Sequence, residues 1–127
     1  MKLLDTRFLV DYLRGEEAAL RYLEDHKHES FAASPITGFE LAFGIADASG
    51  DPTRLYDSLD WLDFVQLTLE DGIEAARLSV KHRKDGAELP VSDVLIAGMA
   101  RSRGATLVAN DGHFDDVEDL SVENYLT

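Results

Sequence analysis

Apolar and polar positions along the chain switch between two periods. Short apolar runs at residues 2–5, 30–33, 64–67, 106–109 and 121–125 read as strands. Between them the spacing lengthens to three and four. Phe8, Leu9, Tyr12 and Leu13 mark a helix over 6–14, stopped by Gly15. A second helix over 16–26 is expected to turn Leu20 and Leu23 inward. Pro35 suits a first helical turn, and 36–48 continues as an almost wholly apolar helix. After the loop "SGDP", residues 53–62 read as helical, and 69–84 as a longer helix ending near Gly86. Beyond "ELPV", 92–103 reads as a buried helix closed by Gly104, and 114–120 as a short helical turn. Strands alternating with helices imply right-handed crossovers and a parallel sheet covered on both faces, an α/β fold. With no repeat, low-complexity tract or linker, residues 1–127 read as a single domain.

Composition narrows the setting. With 45% hydrophobic and 29% charged residues, the chain falls among globular proteins. No window approaches the roughly 18 apolar residues a membrane span needs, and the N-terminus lacks the pattern of a signal peptide. A cytoplasmic location is the expectation. There are no cysteines, which excludes disulfides and thiolate zinc sites. Twenty-five acids face twelve bases, for a net charge of -13. An acidic surface poor in lysine suits a cell with molar internal salt, where screening suppresses self-repulsion; a salt-adapted source is expected, a mesophilic acidic protein being the alternative. The same excess argues against passive electrostatic attraction to nucleic acid.

Four acids stand in unusual places. Asp5 lies between the first apolar run and the first helix. An Asp there is an ordinary helix cap, but the carboxyl end of a buried strand is also where open α/β sheets place their sites. Glu40 is the only charge between Ile36 and Ala46; held unpaired among apolar neighbours it costs several kcal/mol. A Glu reaching solvent at the helix edge is the bland alternative. Asp93 precedes the uncharged run Val94–Ala100, with Ser92 available as the cap in its stead. Asp111 follows the apolar strand in "LVANDG", a sequence that is also common turn chemistry. In a parallel sheet Asp5 and Asp111 face one crevice. Carboxylates gathered there repel, and coexist ionised around a cation; oxygen donors alone select a hard ion, Mg²⁺ or Mn²⁺. A cation so held activates water and clamps a phosphate.

"LLDT", "ITGFELAFG", "LPVSDVLIAGMA" and "LVANDGHF", in that order over nearly the whole chain, resemble the PIN-domain proteins, and among them the VapC-type toxin ribonucleases. The resemblance implies a three-layer αβα sandwich on a parallel sheet and Mg²⁺- or Mn²⁺-dependent cleavage of RNA. It also implies a homodimer, and inhibition by a cognate antitoxin. Position by position it assigns Asp5, Glu40, Asp93 and Asp111 as the acids, with Thr6 and Asn110 as supporting residues. Ala109 stands where the family often has Thr, and His113 precedes Phe114 where many relatives carry Asp, so Asp115 rivals Asp111 as the fourth acid.

Other features carry weaker chemistry. His26 and His28 sit among charges at a helix end and read as solvated; His113 reads equally as a substrate contact or a surface residue. Arg77, Lys81, Arg83 and Lys84 stripe one helix, with His82 beside it, and Arg101 and Arg103 end another. These bases read equally as a solvated face or as contacts to an RNA backbone. Two competing functions remain at this point. "LLDT" also resembles an aspartyl-phosphate phosphatase or receiver domain, but Arg7 occupies the place of the phosphatase's second Asp, and the last lysine is Lys84. A catalytically silent binding module is the other, and the presence of all four acids argues against it.

Overall fold

The computed structural model describes residues 1–110 and 112–126; Asp111, Thr127 and the side chain of His113 lie outside that description. In chain order the elements are β1 (Lys2–Leu4), α1 (Thr6–Leu13), α2 (Glu17–Asp25), β2 (Phe31–Ala33), α3 (Pro35–Asp47) and α4 (Leu55–Ser58). β3 (Asp63–Phe64), α5 (Leu69–Lys84), α6 (Val91–Arg103), β4 (Thr106–Ala109) and β5 (Ser121–Asn124) follow, with 3₁₀ turns at Pro52–Arg54 and Gly112–Phe114. The five strands lie in the order β3-β2-β1-β4-β5, and every pairing is parallel. The chain leaves β1 outward through β2 and β3, then returns to the other side of β1 through β4. That reversal makes a switch point between β1 and β4.

Alternate side chains of each strand serve opposite faces. Leu3, Ala32, Leu107 and Ala109 pack with Ala75 and Leu78 of α5 and with Ile96, Met99 and Ala100 of α6. Leu4, Ala33 and Val108 pack with Phe8 and Leu9 of α1 and Ala19 and Tyr22 of α2. The sheet is therefore covered on both faces, and α3 rests against both α1 and α6.

Several boundaries differ from those read in the sequence. β1 closes at Leu4, and Asp5 takes the N-cap position of α1 in extended backbone. In α2 the inward residues are Ala19 and Tyr22, whereas Leu20 is 44% exposed and Leu23 only partly covered. The phase is set by Tyr22, whose hydroxyl accepts from Lys2 Nζ at 3.0 Å and whose ring meets Phe8 edge-on. Burial lowers the Lys2 pKa, but hydrogen bonds to Tyr22, Glu29 and Glu123 outweigh it and raise the pKa overall. The helix read over 53–62 is a 3₁₀ turn followed by the single turn of α4. Asp51 causes the break: its carboxylate accepts from the Thr53 N–H and starts the chain afresh at Pro52. β3 pairs Asp63 and Phe64 with Ala32 and Ala33, earlier than 64–67. α6 starts at Val91 with Pro90 at the cap, so Ser92 lies inside the helix and does not cap it. The helical turn read over 114–120 is instead the 3₁₀ turn Gly112–Phe114, and β5 ends at Asn124.

α5 and α6 pack closely against each other. A Cβ on Gly98 would stand 2.7 Å from the Ala75 nitrogen, so only glycine lets these helices approach this closely. At one end of the pair, Asp71 is 1% exposed. Its carboxylate accepts from the Thr68 N–H at 2.8 Å, from Arg103 Nη2 at 2.8 Å and from the Ser102 hydroxyl. Thr68 Oγ1 accepts the Asp71 N–H in return at 3.2 Å, completing a capping box. Burial pushes the Asp71 pKa up, but hydrogen bonds from Arg103, Ser102 and Thr68 prevail and hold it at about 2, below the ordinary 3.8. A carboxylate depressed on folding stabilises above its unfolded pKa and loses that contribution as pH falls through the folded one. The expected contribution is about 2 kcal/mol, present at pH 7 and lost between pH 4 and 2. Urea unfolding of Asp71→Asn across that range should show this slope removed, alongside a lower midpoint at pH 7.

Candidate active site

Parallel strands bring their carboxyl ends to one edge, and the switch point opens a cleft there. Asp5 follows β1 on one side of the opening and Asn110 follows β4 on the other. The Asp5 N–H donates to the Val108 carbonyl at 3.0 Å, which ties the end of β1 to β4. Asp5 is 5% exposed, and its side chain makes no capping bond to α1. The cap position is therefore geometric, and Asp5 lines the cleft.

Glu40 enters from α3, half-buried. The Thr6 hydroxyl donates to Glu40 Oε1 at 2.7 Å and lies 2.9 Å from the hydroxyl of Thr37, which is fully buried. A hydroxyl has one proton to give, so while Thr6 donates to Glu40 it accepts from Thr37. This chain of bonds fixes α3 to α1 at the carboxylate. Asp93 comes from the first turn of α6, where the helix dipole favours negative charge. Asp5, Thr6, Arg7, Val10, Glu40, Asp93 and Asn110 line one cleft of about 590 Å³.

Three of the four acids singled out in the sequence thus meet, together with both supporting residues. Asp111 lies outside the described residues. Asp115 is exposed and is not among the residues lining the cleft. Among the described residues no three acids or imidazoles close on a single metal-sized point. An all-oxygen donor set in an open cleft fits Mg²⁺ or Mn²⁺, because such ions keep several waters and need only one or two carboxylates.

Several of the basic residues are matched by nearby acids or carbonyls. Arg103 is taken up by Asp71 and the Gln66 carbonyl, and Arg101 by Glu74 and the Glu118 carbonyl. Arg77 pairs with Glu74, Lys81 with Glu118, and His82 is buried. His26 is packed rather than solvated: it stacks on Tyr22 with ring centroids 4.0 Å apart, and its Nδ1 lies 2.7 Å from the Tyr22 carbonyl. Thr37 was missed in the sequence. Its spacing of three before Glu40 in "PITGFE" carries the signal, since i and i+3 share a helix face.

The sequence matches the PIN domain family over residues 2–120. It is 33% identical over 125 residues to a protein named Ribonuclease VapC19 from Mycobacterium tuberculosis, covering 94% of this chain and 97% of that one. Its fold is similar to that in the crystal structure of VapBC2 from Rickettsia felis bound to a DNA fragment from their promoter. There the TM-score is 0.88 at 24% identity, over 97% of each chain. FitAcB from Neisseria gonorrhoeae is similar too, with TM-score 0.83 at 24% identity over 99% of each chain.

Thr6→Val keeps the shape of the side chain but removes the hydroxyl that joins Thr37 to Glu40. The expected cost is about 1–3 kcal/mol, because the buried Thr37 hydroxyl loses its acceptor. Thr6→Ser should restore most of it, as measured by thermal and urea unfolding.

Proposed function

Because the chain belongs to the PIN-domain family, we propose that it is a Mg²⁺- or Mn²⁺-dependent endoribonuclease and the toxin of a toxin–antitoxin pair. The observation that carries this reading is the convergence of Asp5, Glu40 and Asp93 from three separate elements on the cleft at the sheet's switch point. A relative named as a ribonuclease, 33% identical over nearly the full length, supports RNA as the substrate. With RNA as substrate the place of work is the cytoplasm.

Asp5 and Asp93 would hold the cation, with Glu40 and Asp111 completing the set. When bound, such an ion neutralises the clustered carboxylates, polarises a phosphoryl oxygen and lowers the pKa of water. The chain's own residues do the positioning. The β1–β4 tie holds Asp5, the dipole of α6 favours ionised Asp93, and Thr6 keeps Glu40 in place against its neighbours' repulsion. The Asn110 amide offers a neutral donor to a phosphate oxygen, which a carboxylate cannot supply. The reaction is in-line attack of water on a phosphodiester, leaving 5′-phosphate and 3′-hydroxyl ends.

The outer side of α3 supports partners. Phe39 and Phe43 are 66% and 60% exposed. Beside them Gly38, Ala42, Leu55, Tyr56, Leu62 and Phe64 contribute to an apolar groove of about 520 Å³. A surface of this kind is covered in a working protein. A homodimer and a cognate antitoxin are the occupants we propose, the latter because relatives of this fold are solved as VapBC and FitAB complexes.

Asp5→Asn and Asp93→Asn should each abolish cleavage of RNA at saturating Mn²⁺ while leaving circular dichroism unchanged. In EDTA either variant should melt no lower than the parent, since a repelling charge has been removed. Asp111→Asn should cost far more activity than Asp115→Asn. Full activity in the Asp5 or Asp93 variant overturns the assignment.

Salt joins the charge to the chemistry. At net charge -13 the protein and RNA repel at long range, and the protein's own acids repel each other. At about 1 M salt the Debye length is roughly 3 Å, which removes both effects while sparing direct contacts inside the cleft. Stability and cleavage at fixed Mn²⁺ should therefore both rise from low salt to molar KCl. A steep fall in activity would show instead that basic surface contacts dominate binding, as in an ordinary basic nuclease.

A further inference from the structure

Of the twelve bases, eight have an acidic partner within ion-pair distance. Among the described residues Arg14, Arg54, Arg83 and Lys84 have none. Arg14 and Arg54 lie far apart in sequence yet line the same groove, of about 490 Å³, between α1 and α3. This groove is continuous with the candidate active site, because Val10 and Glu40 line both. Asp51, the acid nearest Arg54 in sequence, spends one oxygen on the Thr53 N–H and hydroxyl at 3.0 and 2.7 Å, and acts on Arg54 only through space, beyond ion-pair distance.

We propose that the groove between α1 and α3 is a backbone subsite for single-stranded RNA, with Arg14 and Arg54 binding phosphates of the strand beyond the scissile bond. The proposal rests on the ribonuclease reading and extends it. Two exposed guanidiniums with no acid within ion-pair distance stand out in a protein so rich in acids, and they suit a ligand that brings its own negative charge at regular intervals. Arg7, at the mouth of the cleft, and Arg14 are seven residues apart, two helical turns and about 10 Å along α1. The row therefore runs outward from the cleft. The floor is open along the way: a side chain at Gly44 would meet nothing within 4 Å. Arg83 and Lys84 line neither the cleft nor this groove, so charge alone does not pick out the site; charge and continuity together do.

The test is anisotropy of a fluorescein-labelled single-stranded RNA of about 16 nucleotides, titrated with full-length protein carrying Asp93→Asn to prevent cleavage. Added to it, Arg14→Gln with Arg54→Gln should weaken binding about tenfold at low salt. The slope of log affinity against log salt should move by about 1.4, at roughly 0.7 per single-strand phosphate contact. Arg14→Lys with Arg54→Lys should restore most of the slope, and Arg83→Gln with Lys84→Gln should change neither quantity. Unchanged affinity and slope in the Gln pair, in a chain whose Asp93 parent cleaves RNA, overturns the subsite alone. Failure of that parent to cleave any RNA overturns the ribonuclease reading, and the subsite falls with it. Unchanged RNA binding with an altered oligomeric state by light scattering assigns the groove to a second copy of the chain and likewise overturns the proposal.

Discussion

Three carboxylates on three different elements face one cleft, and their mutual repulsion is the constraint the rest of the structure must withstand. Asp5 follows β1, Glu40 rides on α3 and Asp93 on α6; nothing in the local sequence holds these elements together. Each is instead tied at a distance. The Asp5 N–H bonds to β4, and Glu40 is joined through Thr6 to α1. Asp93 depends on the placement of α6, which is set far from the cleft. The contact of Gly98 with Ala75 fixes the spacing of α5 and α6, and the bonds of Asp71 to Ser102 and Arg103 fix their register. Preorganisation at the site is thus supported by a buried polar network at the opposite end of the same helix pair.

The two buried acid systems differ in a way that separates structure from chemistry. Asp71 has hydrogen-bond donors from three residues, one of them the guanidinium of Arg103, so its charge is compensated and its pKa falls. A carboxylate satisfied in that manner has little capacity left for a ligand. Among the described residues Glu40 receives one side-chain donor, a neutral hydroxyl, in a cleft it shares with two other acids. Donors sufficient to position a carboxylate, yet short of neutralising it, leave it available to a cation.

What the sequence revealed follows the same division. β1 and β4 were legible because buried parallel strands are continuous apolar runs, and Asp5, Glu40 and Asp93 because each stands in or beside such a run, with helix capping or a solvated helix edge as the competing account. Asp71 was not legible as a buried residue, since it looked like any acid in a first helical turn. The capping box Thr68 to Asp71 was there to be read, but its continuation to Arg103 is a tertiary fact. The phase of α2 failed for a related reason. Leucine outranks tyrosine in hydrophobicity, yet Tyr22 is taken inward because Lys2 gives its hydroxyl a partner at depth. Arg101 and Arg103 were left between a solvated face and RNA contact, because side-chain charge is visible in a sequence and its compensation is not.

That last point bears on how a strongly acidic protein handles a polyanion. Counting bases overestimates the positive surface, because most of the twelve are spent on acids close by. A basic nuclease gathers its substrate by a broad field and loses that advantage in salt. This chain has no such field to lose. Its attraction has to be short-ranged: direct ligation within the cleft, and guanidiniums placed where the strand must pass. Ligation inside the cleft survives screening better than a field does, even though each guanidinium contact to a phosphate weakens with salt, so the acidic surface that repels RNA at a distance is compatible with holding it once docked. What matters is where the few cations without an ion pair stand, and among the described residues two of the four line a groove that Glu40 also lines.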